Sequence, residues 1–301
     1  MARNTVDAWI PEEYDSAVIT RINQISVVED VSNRVPMTSD TRHVPRSAGM
    51  GVDVVDKGGA YGEDVSNNDD VLLYAKKFGK VIRLAEEDMD DSIVDILNTK
   101  MKDWGISYAK ILDNASIAVT GAIGTGVPFQ SIYYLLSQTD NALGYTANSN
   151  ITVAGSGGAT YDDFSNSIGL VESGDYYDPA TMIAIAHPTF KKSLRSVKDL
   201  QDDPIFIKGL AGTPDTIFGV NIRWSLGART SATATSAPTG RPIMAFVSTD
   251  LMQLGIRSGP ESVFIDGRDG TSALTDESLL KMRARRGFVY GHPAGASILV
   301  G

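Results

Sequence analysis

The chain has 301 residues, 42% hydrophobic and 21% charged, which suits a folded protein with room for two packed lobes and excludes a disordered one. A formal net charge of −10 argues against a general nucleic-acid binder, and the lack of cysteine removes disulfides, thiolate metal sites and a cysteine nucleophile. No apolar run approaches the roughly eighteen residues needed to span a bilayer, and no hydrophobic signal segment follows Met1-Ala2-Arg3-Asn4, so neither a membrane span nor secretion is expected.

Residues 1–24 predict an extended start and a short helix, with Pro11 at a first helical position, Glu12 and Glu13 in the first turn, and Tyr14, Ala17, Val18 and Ile22 on one face. Residues 25–48 read as strand through Ile25, Val27, Val28, Val31 and Val35, and Pro36 and Pro45 favour edge strands or open arms. Residues 49–70 are glycine-rich and acidic, with Gly49, Gly51, Gly58, Gly59 and Gly62 among Asp53, Asp56, Glu63, Asp64, Asp69 and Asp70. A segment of about twenty residues without a core of its own is uncommon inside a compact domain. Its flanks are strand-like, so a long two-stranded hairpin arm is the simplest geometry. Such an arm is marginal alone and needs a neighbouring surface.

Residues 71–84 read as a strand running into Glu86, Glu87, Asp88, Asp90 and Asp91. An amphipathic helix follows, its stripe formed by Met89, Ile93, Ile96, Leu97, Met101, Trp104, Tyr108, Ile111, Leu112, Ala115 and Val119. It is expected to reach roughly thirty residues, against a usual length of about eleven or twelve. Lys100, Lys102, Asp103, Lys110, Asp113 and Asn114 fall mostly on the other faces. The acids suit the positive end of the helix dipole. Carboxylates also suit a hard divalent cation, but helix-start chemistry accounts for them without a ligand. Gly105, in mid-helix, predicts a bend or close packing.

The helix is expected to stop at Gly121-Ala122-Ile123-Gly124-Thr125-Gly126-Val127-Pro128. These glycines follow a helix, whereas a phosphate loop places them between a strand and a helix start, and Lys-Ser/Thr is missing. A helix stop is therefore the better account. Residues 131–160 read as a polar connector. Tyr161 opens a helix carrying Phe164, Ile168 and Val171. Met182–Ala186 is a buried strand, turned by His187-Pro188 into a helix over 189–199. A turn at 209–215, a strand over 217–224, a loop over 229–240 and strands at 243–247, 251–257 and 262–265 follow. Residues 279–285 alternate with period two, which puts Lys281, Arg283 and Arg285 on one strand face. Phe288, Val289, Ile298, Leu299 and Val300 continue in strand, interrupted by Gly291-His292-Pro293. The class is mixed α+β, without strict βαβ alternation.

No catalytic, cofactor or metal residues are expected. His43, His187 and His292 are scattered beside prolines and form neither a zinc motif nor a triad. Lys57 is either a solvated arm lysine or a salt bridge or covalent bond to a neighbouring subunit. Lys281, Arg283 and Arg285 are either a solvated face or a cationic seam between subunits. Such a seam would face the acidic arm (Asp53, Asp56, Glu63) or the helix start (Glu86, Glu87, Asp88).

Four segments, Leu84-Ala85-Glu86-Glu87-Asp88, Gly124-Thr125-Gly126-Val127-Pro128, Ala186-His187-Pro188-Thr189 and the run from Arg286 to Pro293, stand in an order that resembles the tailed-bacteriophage major capsid proteins of the Hong Kong 97-type fold. The resemblance covers nearly the whole chain and lies in element order more than in any one motif. It implies an N-terminal arm (1–24), a peripheral domain (25–48, 71–122 and 249–285) with a long spine helix, an extended loop (49–70) lying across an adjacent subunit, and an axial domain (123–248 and 286–301). It further implies pentamers and hexamers closing an icosahedral shell around packaged double-stranded DNA, assembled in the host cytoplasm and found in the virion. Implied partners are scaffolding protein, a portal and a decoration protein, without sequence-specific DNA binding. Gly49, Gly51, Gly105 and Gly121 are candidate hinges for quasi-equivalent packing. Some relatives join a loop lysine to a neighbour's asparagine. Lys57 is suitably placed, but Asp266-Gly267-Arg268-Asp269-Gly270 offers no asparagine, so non-covalent locking is expected. Competing classes are an encapsulin-like compartment shell and a mixed α/β enzyme.

Overall fold

The computed structural model describes residues 25–47, 51–63, 69–85, 87–88, 95–197, 206–207, 214–265 and 277–301. The expected arm at 1–24, Gly49, Glu86, Asp90, Asp91 and the loop at 266–270 lie outside the described residues.

A short helix, α1 (Val27–Val31), precedes β1 (Asn33–Pro36) and the antiparallel pair β2 (Thr41–Arg46) and β3 (Asp69–Tyr74). Strand β4 (Lys76–Ala85) is followed by the long helix α2 (Ile96–Ile117), α3 (Ile132–Leu136), β5 (Ile151–Val153), α4 (Tyr161–Glu172), β6 (Met182–Ala186) and α5 (Phe190–Ser196). Next come β7 (Phe206–Ile207), β8 (Asp215–Ile217), β9 (Val220–Trp224) and β10 (Ile243–Ser248). The chain closes with β11 (Met252–Ile265), β12 (Glu277–Tyr290) and β13 (Ala296–Val300).

Three sheets result among the described residues: a four-stranded one ordered β1-β11-β12-β4, a seven-stranded one ordered β5-β13-β10-β6-β9-β8-β7, and the β2-β3 pair. The central strands of the seven-stranded sheet are covered on both faces, which is why β6 and β10 read as continuous apolar runs. Along β10, Ile243, Ala245 and Val247 join the core shared with α2 and α3, while Met244 and Phe246 join the core beneath α4 and α5. Side chains of a strand point alternately to opposite faces, so one run serves two cores. The long strand β12 belongs to the other sheet, but its last residues, Phe288 and Tyr290, enter the first of these cores.

Local chemistry explains several departures from expectation. Residues 27–31 form a helix, not a strand, because Ser26 caps it by accepting from the Glu29 amide at 3.2 Å and the Val27 and Val28 amides find a buried acceptor. The run 71–84 is two strands in different sheets. It breaks at Ala75, whose amide donates to the Asp40 carbonyl at 2.8 Å. Helix α2 has 22 residues, about 33 Å at 1.5 Å each, not thirty. Its cap is Asp95, which accepts from the Asn98 amide at 3.0 Å, so the acidic cluster does not form its first turn.

The connector at 131–160 contains both α3 and β5. The strand expected over 217–224 is the hairpin β8–β9, turned by Phe218 and Gly219, both at positive φ. Strands expected at 251–257 and 262–265 are one strand, β11, its pairing with β12 shifted between Ile256 and Ser258 and again between Ser258 and Glu261. The helix opened at Tyr161 is present, fixed by a capping box between Thr160 and Asp163.

Candidate intersubunit surface

Residues 51–63 lie beyond the β2–β3 stem without helix or strand, and nearly every residue is exposed. Asp56 and Gly59 close a turn through a 2.8 Å backbone hydrogen bond, with Gly58 at φ 86°. Lys57 therefore stands at the apex, and positive φ at the third turn position is what glycine supplies without strain. Asp53 approaches Gly62 across the loop, so closely that a Cβ on Gly62 would meet its carboxylate at 2.7 Å. Asp53, Asp56 and Glu63 are exposed. The apolar side chains Val52, Val54 and Tyr61 are also exposed, at 90%, 99% and 88%. These three apolar groups gain little burial from the loop's own fold. Burying each against another surface is worth about 1.5–3 kcal/mol for a Val-sized side chain.

Lys281, Arg283 and Arg285 do share the less buried face of β12, alternating with buried Met282, Ala284 and Arg286. The register puts Lys281 between Val81 and Val263, Arg283 between Gly79 and Glu261, and Arg285 between Lys77 and Ser258. Part of this charge is already matched within the subunit. Arg283 pairs with Glu261, Arg257 with Asp40 at 2.5 Å, and Arg285 stands 3.9 Å from the same Asp40. A cleft of about 230 Å³ lies among Lys77, Arg257, Glu261, Arg283 and Arg285. Further out along the same strands, Val263, Phe264 and Ile265 are 39%, 45% and 42% exposed. Glu87 and Asp88 have helical backbone and are exposed. On the opposite face of the sheet, Phe78, Trp104, Tyr108 and Met282 line a cleft of about 450 Å³ beneath α2.

Of the candidate hinges, Gly105 sits in uninterrupted helix, and among the described residues nothing lies within 4 Å of an added Cβ, so of the bend or close packing expected there, close packing is not seen. Gly51 is equally open. Gly121 is the opposite: a Cβ there would meet the Ala232 carbonyl oxygen at 2.6 Å, and close backbone approach is its reason for being glycine. His187 is buried and hydrogen-bonds Thr189 Oγ1 through Nδ1 at 2.9 Å. Burial, with Arg229 nearby, lowers its pKa from 6.5 to about 4. His292 stacks on Tyr176 with ring centres 3.9 Å apart.

The residues missed from sequence are Asp113 and Asn114. The stripe assigned them to a polar face, yet every residue from Leu112 to Ile117 is buried. The Asp113 carboxylate accepts four hydrogen bonds, from Ser26 Oγ at 2.5 Å, Ser225 Oγ at 2.6 Å and the Val27 and Val28 amides at 3.1 and 3.2 Å. Burial pushes its pKa up, opposed by those donors. Asn114 donates to the Gly227 and Arg229 carbonyls and accepts from Ser231 and the Thr235 amide. Together the two side chains tie α1 and the loop at 225–235 to the last turns of α2. Their one sequence signal is two adjacent amide and carboxylate residues just before the apolar end of a helix.

Solved structures share this architecture over whole chains. A structure from Mycobacterium phage Bobi matches with a TM-score of 0.73 at 20% identity, covering 98% of this chain and 96% of that one. One from Mycobacterium phage Ogopogo gives 0.72 at 15% identity, covering 100% and 99%. The capsid of a native GTA particle gives 0.70 at 16% identity, also covering 100% and 99%. The fold is thus the Hong Kong 97-type α+β fold, that of subunits which build shells. The chain belongs to the phage capsid family, whose model matches residues 7–296. It is a major capsid protein, a structural component of the virion that associates with copies of itself. No match was found among curated protein sequences.

Proposed function

We propose that this subunit forms pentamers and hexamers that close an icosahedral shell around double-stranded DNA, locked without covalent bonds. The observation that carries the proposal is the loop at 51–63, with Val52, Val54 and Tyr61 exposed beyond its own subunit's cores. In the shell, residues 49–70 lie across an adjacent subunit. Asp53, Asp56 and Glu63 set the loop's register against cations such as Lys281, Arg283 and Arg285, while Lys57 pairs with a neighbour's acid. Glu86, Glu87 and Asp88 contribute acidic contacts at the same boundary. Charges of this kind act on register and rate more than on affinity, and the apolar groups supply the affinity.

Residues 25–48, 71–122 and 249–285 act as the peripheral domain, and 123–248 and 286–301 as the axial domain, with Gly49, Gly51 and Gly105 absorbing differences between quasi-equivalent positions. Residues 1–24 act as an arm. A net charge of −10 suits a shell that encloses DNA without holding its sequence. Scaffolding, portal and decoration proteins complete the particle, assembled in the host cytoplasm. Deleting residues 49–70 is expected to leave a folded subunit that forms no stable shells, as seen by negative-stain microscopy. Normal shells from the deletion would overturn the role of the loop.

A further inference from the structure

The stem of the projecting loop is not held by its own two strands alone. Arg46, at the loop end of β2, pairs in register with Asp69 of β3, and its guanidinium donates from Nε and Nη2 to that carboxylate, the Nη2 bond being 2.6 Å. The same Nη2 also donates to Asp140 Oδ2 at 2.7 Å. Asp140 belongs to the body of the subunit, where its other oxygen accepts from the Ala142 and Leu143 amides at 3.1 and 3.4 Å and its amide exchanges backbone bonds with Tyr145. The Arg46 side chain is only 15% exposed, and Asp140 is 22% exposed. His292, stacked on Tyr176, faces the same group of charges.

The other end of the stem is seated in a notch. Gly255 of β11 and Gly287 of β12 are directly paired across the strands. A Cβ on Gly287 would meet the Tyr74 carbonyl oxygen at 2.6 Å, and one on Gly255 would meet Leu73 at 2.9 Å and collide with Met37. Leu73, fully buried, fills this notch together with Met37 and Val289. A two-stranded ribbon is marginal alone in water. Here a salt bridge at one end and a packed side chain at the other remove its freedom to swing.

We infer that Arg46, through Asp140, is a positioning residue for shell assembly: with the Gly255–Gly287 notch it aims the loop at 51–63 before any neighbour is present. The inference rests on the proposal that this loop engages an adjacent subunit, and it adds that the loop's direction is set within the free subunit. Preorganisation of this sort raises affinity by sparing the ordering cost at binding.

The test uses the full chain, which has no cysteine of its own. Spin labels on Lys57→Cys and on Ser165→Cys, an exposed position of α4, report the distance distribution between loop apex and body in unassembled subunits. Asp140→Asn weakens only the link to the body, leaving the Arg46–Asp69 pair and the Asp140 turn in place. Arg46→Ala removes both bonds, and Arg46→Lys keeps the charge without the fork. Asp140→Asn is expected to broaden the distribution without lowering the melting temperature of the body. Without labels, the same substitution is expected to cut shell yield roughly tenfold, equivalent to about 1.4 kcal/mol. Arg46→Lys should fall between wild type and Arg46→Ala in both readouts. An unchanged distribution in Asp140→Asn and Arg46→Ala overturns the positioning role. A broadened distribution with normal shell yield keeps the seat but overturns the loop's part in assembly.

Discussion

Asp113→Asn is the most informative substitution, because it keeps shape and changes only charge and donor pattern. The wild-type oxygens each accept one hydroxyl and one amide: Oδ1 from Ser26 and Val28, Oδ2 from Ser225 and Val27. An asparagine must turn its NH₂ toward one of these sets. The hydroxyl there can rotate and accept, but the backbone N–H is left facing another donor. A buried donor without a partner costs about 1–3 kcal/mol, and bonds to a neutral carbonyl are roughly half as strong as bonds to a carboxylate. Relief of charge burial offsets part of this, as the raised pKa of Asp113 implies. The net expectation is a loss of about 2 kcal/mol, against about 4 kcal/mol for Asp113→Ala, which strands all four donors.

Urea unfolding of unassembled subunits measures the loss, and amide exchange locates it. Val27 and Val28 should exchange faster in Asp113→Asn while the amides of β10 do not change. Ser225→Ala and Asp113→Asn should be non-additive by about 1 kcal/mol, since they share a bond. The reasoning fails if Asp113→Asn unfolds at the wild-type midpoint, or if the two substitutions add.

Further expectations follow from neighbouring groups. Asn114→Asp would turn two donors into acceptors against the Gly227 and Arg229 carbonyls, so it should destabilise more than Asp113→Asn, by about 3 kcal/mol or more in the same urea assay. His187 has a folded pKa of about 4 against an ordinary 6.5, so between these values the unfolded chain takes up a proton that the folded one refuses. Stability should therefore fall as pH drops from 6.5 toward 4, and His187→Gln should flatten that slope in thermal melts. Gly287→Ala places a Cβ against the Tyr74 carbonyl and should lower the melting temperature while increasing exchange in β2 and β3.

The α+β class, the acidic loop with Lys57, the long helix, the buried strand at 182–186 and the face shared by Lys281, Arg283 and Arg285 were all legible in the chain. Each rests on periodicity or on turn chemistry, which are local. What was not legible is where segments meet. The apolar stripe of α2 places Asp113 and Asn114 on a polar face, and only packing by α1 and the 225–235 loop makes those positions interior. Valines at 27, 28 and 31 suit a strand, and a carboxylate 85 residues away in sequence from Val28 turns them into a helix. Glycine at 255 and 287 is unremarkable in sequence until β11 and β12 pair and a leucine from the loop's stem packs over both. Local pattern is set by neighbours a few residues apart, whereas a buried charge, a notch or a guanidinium shared between two segments exists only once distant parts of the chain have been brought into contact.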